Sequence, residues 1–352
     1  MRTGSHDAAS RFRSVMFGGL PLACLVAAAV AGAAWGPTWS ERWAPWPWLV
    51  SLAVVGLPHG AVDWAVTRRT CPVGTTRRLA IAYLLGMLVV LGLFVAIPVP
   101  LIILFAAVSV WHFGMAHADG QMPPVEGGLV RQGLAALARG GLVLAVPMAC
   151  WPAETAAVAE HVVSLATPRS AGLDGGVVRG LGIALAAATL AAFAIEAMRS
   201  WPQPQSRPRT LATAAELTAF AAVGMTTKPL FSVGLYFLCW HAWRQMLLVA
   251  PVVTGSLPGD WPSLVRGLLA IHRAALPLLV PTWLVLAAVW WRVSPTHSVA
   301  DLAALSLVVY LVVTPSHDLL IDLARSRAAR TPEPSRSSLA HRCTALSAFW
   351  SS

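Results

Sequence analysis

Residues 79–119 read LAIAYLLGMLVVLGLFVAIPVPLIILFAAVSVWHFGMAHAD, and no charged side chain occurs before Asp119. Such a stretch is too long and too apolar for one buried helix of a water-soluble domain. It divides at Pro98 and Pro100 into two runs of about 20 residues, the length needed to cross hydrocarbon as a helix. The same pattern recurs along the chain. Apolar runs at 15–35, 46–66, 79–97, 99–118, 129–151, 177–198, 211–226, 230–250, 264–291 and 299–324 predict an all-α, polytopic transmembrane bundle of about ten helices. Pro277 and Pro281 lie inside the ninth run and predict a kink there.

Composition agrees. The 352 residues are 57% hydrophobic and only 11% charged, about half the charge of a typical soluble domain. The formal charge of +10 sits in loops and tails, which argues against nucleic acid as a partner and for the positive-inside bias of membrane proteins. Arg2, Arg11 and Arg13 precede the first run, and Arg68, Arg69, Arg77 and Arg78 follow the second. Arg199, Arg207 and Arg209 follow the sixth, and Arg325, Arg327, Arg330, Arg336 and Arg342 follow the tenth. An even number of crossings puts all four groups on one side, so both termini are expected in the cytoplasm. Loop 152–176, with Glu154, Glu160 and Asp174, then faces outward. Residues 1–14 read as a basic N-terminal tail ahead of a retained first helix. Residues 15–324 form the bundle, and 325–352, rich in Ser, Arg and Pro, a disordered basic tail. The five cysteines show no paired spacing and predict neither a disulfide framework nor a zinc knuckle.

Four histidines fall within spans: His59 in GLPHGAVD, His112 in VWHFGMAHAD, His241 in YFLCWHAWRQ and His317 in TPSHDLLID. Their helices all run from outside to inside in the expected topology. Each histidine follows its helix start by about 12 to 18 residues, which at about 1.5 Å per residue puts all four at one depth in the cytoplasmic half. Imidazoles from several helices at one level suit a metal bound inside a bundle. Asp63, one turn after His59, is the expected carboxylate behind a ligand, and Asp119 lies near the end of the His112 helix. His117 is a further candidate for the site, whereas His272 reads as a packing residue and His161 and His297 as surface residues. Arg244, well inside a late span, is expected either to pair with an aspartate such as Asp318 or Asp63 or to snorkel toward the cytoplasmic surface, with the internal pair slightly favoured. Trp111, Phe113, Tyr236, Phe237, Trp240 and Trp243 surround His112 and His241, either as ordinary packing or as the wall of a pocket for a long apolar ligand.

At these segments the chain resembles the Brp/Blh family of membrane-bound β-carotene 15,15'-dioxygenases. The resemblance rests on Gly56-Leu57-Pro58-His59-Gly60-Ala61-Val62-Asp63, Trp111-His112-Phe113-Gly114, Tyr236-Phe237 with Trp240-His241 and Arg244, and Pro315 through Asp322. It implies a non-haem Fe(2+) held by His59, His112, His241 and His317, with Asp63, Gln245, Asp119 and His117 around them. It also implies cleavage of β-carotene, or a related apolar polyene taken from the bilayer, by O2 to retinal, in an enzyme of the inner (plasma) membrane. The family usually carries a histidine where this chain has Gln245, and an aspartate where it has His117. Two other readings of the residues stay open: a carotenoid- or retinal-binding member without activity, and a transporter relaying protons or metal ions through histidines and aspartates.

Overall fold

The computed structural model describes residues 3–70, 73–119, 128–167, 172–294 and 297–330, and every regular element among them is helical. Among the described residues, seven helices are long and apolar enough to cross a membrane: Ala8–Trp35, Gly74–Ala96, Pro98–Ala116, Gly128–Cys150, Gly175–Ser200, Trp261–Val293 and Val299–Leu320. The Gly74–Ala96 helix turns Leu84, Leu85, Leu88 and Val89 outward, as a lipid-facing surface requires and an aqueous one forbids. The protein is a multi-pass helical membrane protein.

The remaining three apolar runs are helical too, but two are interrupted. Residues 46–66 fall in Pro45–Val50, a π-helical turn at Ser51–Val55, and the short helices Gly56–Ala61 and Asp63–Thr70. Residues 230–250 fall in Pro229–Leu235, a π-helical stretch at Tyr236–Ala242, and Trp243–Thr254. The third, Arg207–Thr226, is regular and buries Glu216. These three supply much of the largest core cluster, including Trp48, Leu57, Phe220, Tyr236, Phe237, Trp240 and Met246. Irregular backbone at membrane depth survives where surrounding protein covers it, and the interrupted runs occupy that covered position.

Three differences from the sequence expectation concern helix extent. The N-terminal segment is helical from Thr3 and runs through a π turn at Val15–Gly19 into Leu20–Trp35. The last helix continues to Arg330, six residues into the segment assigned to the tail; residues 331–352 lie outside the described part. Trp261–Val293 runs as one helix through Pro277 and Pro281, starting from a capping box between Asp260 and Ser263.

Contacts among loops divide between two ends of the bundle. At one end Lys228 Nζ lies 2.6 Å from Glu154 and 3.3 Å from Glu41. The Lys228 ammonium holds the Glu154 carboxyl below its usual range, and the carboxylates in turn raise Lys228. His161 meets Asp301 at the same end, 3.1 Å apart, and is exposed, the surface residue expected. His297 stacks on Trp291 there. At the other end Phe12 packs edge-on against Trp261, and Trp243 Nε1 donates to the Met16 carbonyl.

Between the ends, helices approach closely where side chains vanish. A Cβ on Gly114 would strike the Ala136 carbonyl, and one on Gly140 the Val110 carbonyl. The Pro98–Asp119 and Gly128–Cys150 helices therefore touch backbone to backbone. Arg139, unnoticed in the sequence, is buried nearby and pairs with Glu196 at 2.9 Å, tying Gly128–Cys150 to Gly175–Ser200. One hydrocarbon-embedded cation is thereby matched by one anion. Gly114→Ala should force these helices apart and lower stability by about 1–3 kcal/mol. Gly133→Ala, with nothing within 4 Å of the added carbon, should leave stability unchanged or raise it slightly. Unfolding of the detergent-solubilised variants measures both.

Candidate metal centre

All four span histidines converge. Three are buried, and His112 is nearly so, with a side chain 10% exposed. The His59 ring centroid lies 5.6 Å from those of His241 and His317, and the His112 centroid 4.6 Å from His241 and 5.6 Å from His317. One ligand atom from each of His112, His317 and Asp318 can be chosen so that all three lie within 4.8 Å of one another. Four segments separated by up to 258 positions in the chain thus meet at one depth.

Local structure aims each ring. His59 follows the π turn at Ser51–Val55, where Val55 leaves helical geometry at φ −132°. The Val55 carbonyl lies 3.1 Å from His59 Nδ1. A carbonyl can only accept, so Nδ1 carries the proton and the Nε2 lone pair is left for another partner. His112 is set the same way by a carboxylate: its Nδ1 donates to Asp318 Oδ1 at 2.5 Å. A carboxylate behind an imidazole fixes the tautomer and raises the basicity of the opposite nitrogen. His241 lies within the π-helical stretch Tyr236–Ala242, and Phe237 stacks on its ring at 5.4 Å and 21°. Localised π-helical turns often coincide with functional sites, and here one carries a histidine while another leads into one.

The liberated nitrogens face each other. His112 Nε2 and His241 Nε2 are 3.0 Å apart. Two lone pairs at that distance repel unless a proton or a cation lies between them. Two nitrogens bound at right angles to one ion through bonds of about 2.1 Å lie about 3.0 Å apart, so the spacing fits shared ligation as well as a shared proton. Imidazole nitrogen is a suitable donor for Fe, Zn, Cu or Ni.

Aromatic rings enclose the histidines. Phe113 lies 5.1 Å from His241 and from Tyr236, and Phe237 stacks between His241 and Trp48 and touches Tyr310 at 4.6 Å. Below them a small cavity is bounded by Phe113, Tyr236, Trp240, His241, Arg244 and Gln245. Of the six aromatics singled out in the sequence, Phe113, Tyr236 and Trp240 border this cavity, and Phe113, Tyr236, Phe237 and Trp240 are buried in the core.

The surroundings also correct the sequence reading. Arg244 does not pair with Asp318, which serves His112; it lies instead over the Phe17 and Trp240 rings, at 4.1 and 4.6 Å. Gln245 lines the cavity beside His241. The side chains of Asp63, His117 and Asp119 lie outside the described residues. His272 donates to or accepts nothing at the centre; its Nδ1 bonds the Leu268 carbonyl at 2.8 Å, as a packing residue. The carboxylate that the structure places behind one of the four histidines, His112, is Asp318. Its signal in the sequence was direct adjacency to His317, which puts it at the depth of the layer.

Comparison with known proteins settles the family. The family described as Beta-carotene 15,15'-dioxygenase matches residues 50–324, which include all four histidines. The chain belongs to this family. It is 30% identical over 295 residues to the probable beta-carotene 15,15'-dioxygenase Blh of Halobacterium salinarum, covering 77% of this chain and 81% of that protein. It is 26% identical over 264 residues to the probable beta-carotene 15,15'-dioxygenase Brp of the same species, covering 70% and 73%. No solved structure matches the chain significantly.

Asp318→Asn keeps the shape behind His112 but removes the charge that supports its Nε2. We expect transition-metal affinity of the purified protein, measured by titration, to fall about 10- to 100-fold. Asp301→Asn, at the outer end of the same helix, should leave it unchanged.

Proposed function

We propose that the protein cleaves β-carotene, or a closely related carotenoid, at the central 15,15' double bond to give retinal, using O2 and Fe(2+) held by His59, His112, His241 and His317. The observation that carries the reading is the convergence of these four imidazoles, within a family whose relatives bear the corresponding activity in their names. Bound iron would supply O2 activation. In a dioxygenase reaction one carbon–carbon double bond is broken, and each new aldehyde receives one oxygen atom of O2.

The chain's own residues supply position and environment. Val55 and Asp318 hold the His59 and His112 rings with Nε2 directed away from their hydrogen bonds. Phe237 and Phe113 fix His241 from two sides. The aromatic wall made by these rings with Tyr236, Trp48 and Tyr310 excludes water and offers flat faces to a conjugated chain. A substrate already dissolved in the bilayer explains why the site lies inside it. The inner (plasma) membrane, with both termini cytoplasmic and ten crossings, accounts for the basic clusters and for the two-ended arrangement of loop contacts.

A relay of protons or metal ions is less well supported. The apolar outer halves of the His112 and His317 helices, Leu101–Val108 and Leu302–Val309, offer no polar continuation from the histidines. The decisive assay is expression in bacterial cells that accumulate β-carotene. The wild-type protein should bleach them and yield retinal by chromatography, and an equally well-folded His59→Ala variant should do neither. Coloured cells without retinal, despite well-folded wild-type protein, would refute the proposal.

A further inference from the structure

Arg244 has no assigned role, and its environment is unusual. The side chain is only 3% exposed, and among the described residues neither Nη1 nor Nη2 has a hydrogen-bond partner. Buried guanidinium donors left unpaired are costly, and each such group in a folded protein calls for an explanation. The cation is held in place without those donors: Phe17 and Trp240 lie against it, contributing cation–π attraction. What the guanidinium lacks is an acceptor.

Tyr236 shows the same feature. Its ring is fully enclosed, and its hydroxyl is buried without a partner among the described residues. Arg244 and Tyr236 border one cavity, together with His241 and Gln245. Donors from two side chains therefore meet beside the metal centre, in a space otherwise walled by Phe113 and Trp240. Aromatic rings and Ala116 make up the rest of that lining, and an apolar wall suits a neutral acceptor on an apolar chain better than a charged one.

We infer that Arg244 and Tyr236 form a binding site for the carbonyl oxygen of a conjugated polyene aldehyde, whose apolar chain lies against the aromatic wall. The choice of polyene rests on the carotenoid-cleavage reading, since that reaction generates such a carbonyl next to His241. Arg244 and Tyr236 then receive the new oxygen and hold the product, and so the cleaved end, in a fixed position.

The test is binding of all-trans-retinal to the purified protein in nanodiscs, read by absorbance and by affinity. Donation to the carbonyl stabilises the excited state, in which charge moves toward oxygen. Bound retinal should therefore absorb at longer wavelength than retinal in empty nanodiscs. Arg244→Met should move the band back and weaken binding about tenfold or more, with Arg244→Lys intermediate. Tyr236→Phe, which keeps the ring and guards against a folding failure at position 244, should give a smaller shift in the same direction. Retinol, whose oxygen is outside the conjugated system, should show no band shift in any variant. Equal affinity and equal band position for retinal in the wild type, Arg244→Met and Tyr236→Phe would overturn the inference. So would retinoic acid binding tightly through Arg244 while retinal ignores it, because the site would then be an anion site. Retinal binding through Arg244 in a protein that leaves β-carotene intact would sink the oxygenase reading alone.

Discussion

Two imidazole nitrogens, Nε2 of His112 and Nε2 of His241, face each other across 3.0 Å in the apolar interior of a membrane protein. In water this contact would have little consequence, because solvent would separate and solvate the pair. In a low-dielectric core there is no such relief. Much of the surrounding structure can be understood as the means of holding it. Asp318 takes the proton side of His112, and the Val55 carbonyl does the same for His59. Phe237 and Phe113 immobilise His241, and a backbone contact through Gly114 fixes the helix that carries His112.

The backbone irregularities follow from the same requirement. A regular helix through 46–66 or 230–250 would satisfy its hydrogen bonds more simply, and a lipid-facing helix would have to. Both segments instead lie among the buried core residues, with π turns at Ser51–Val55 and Tyr236–Ala242. Covered by the longer apolar helices, they can depart from regularity where His59 and His241 must be aimed. Charge inside the bundle is treated differently according to place. Arg139 has a direct partner in Glu196, whereas Arg244 rests on aromatic faces with Nη1 and Nη2 undirected toward any protein acceptor. The first arrangement is structural glue, and the second leaves hydrogen-bonding capacity beside the histidine cluster.

The fold class was legible because hydrocarbon imposes a length and a composition that few other structures share, as residues 79–119 show directly. The histidine layer was legible for a related reason: rise per residue converts position in a span into depth, and His59, His112, His241 and His317 share one depth. Rotation about each helix was not legible in the same way. The assignment of Arg244 to Asp318 failed because depth alone does not say which face a residue occupies, and Asp318 faces His112. The interruptions at 51–55 and 236–242 were hidden as well, since apolar composition alone does not separate a π-helical turn from a regular helix. The Arg139–Glu196 pair needed knowledge that helices 128–150 and 175–200 are neighbours, which no single segment contains.

The claim that one metal ion organises the histidine layer is tested most directly by the metal content of protein purified without added chelator. The account predicts about one iron per folded chain, largely lost when His112 and His241 are both replaced by alanine, and bound at least as tightly in Gln245→His. A well-folded wild-type protein that carries no transition metal, and takes up none when iron is supplied under reducing conditions, would contradict it.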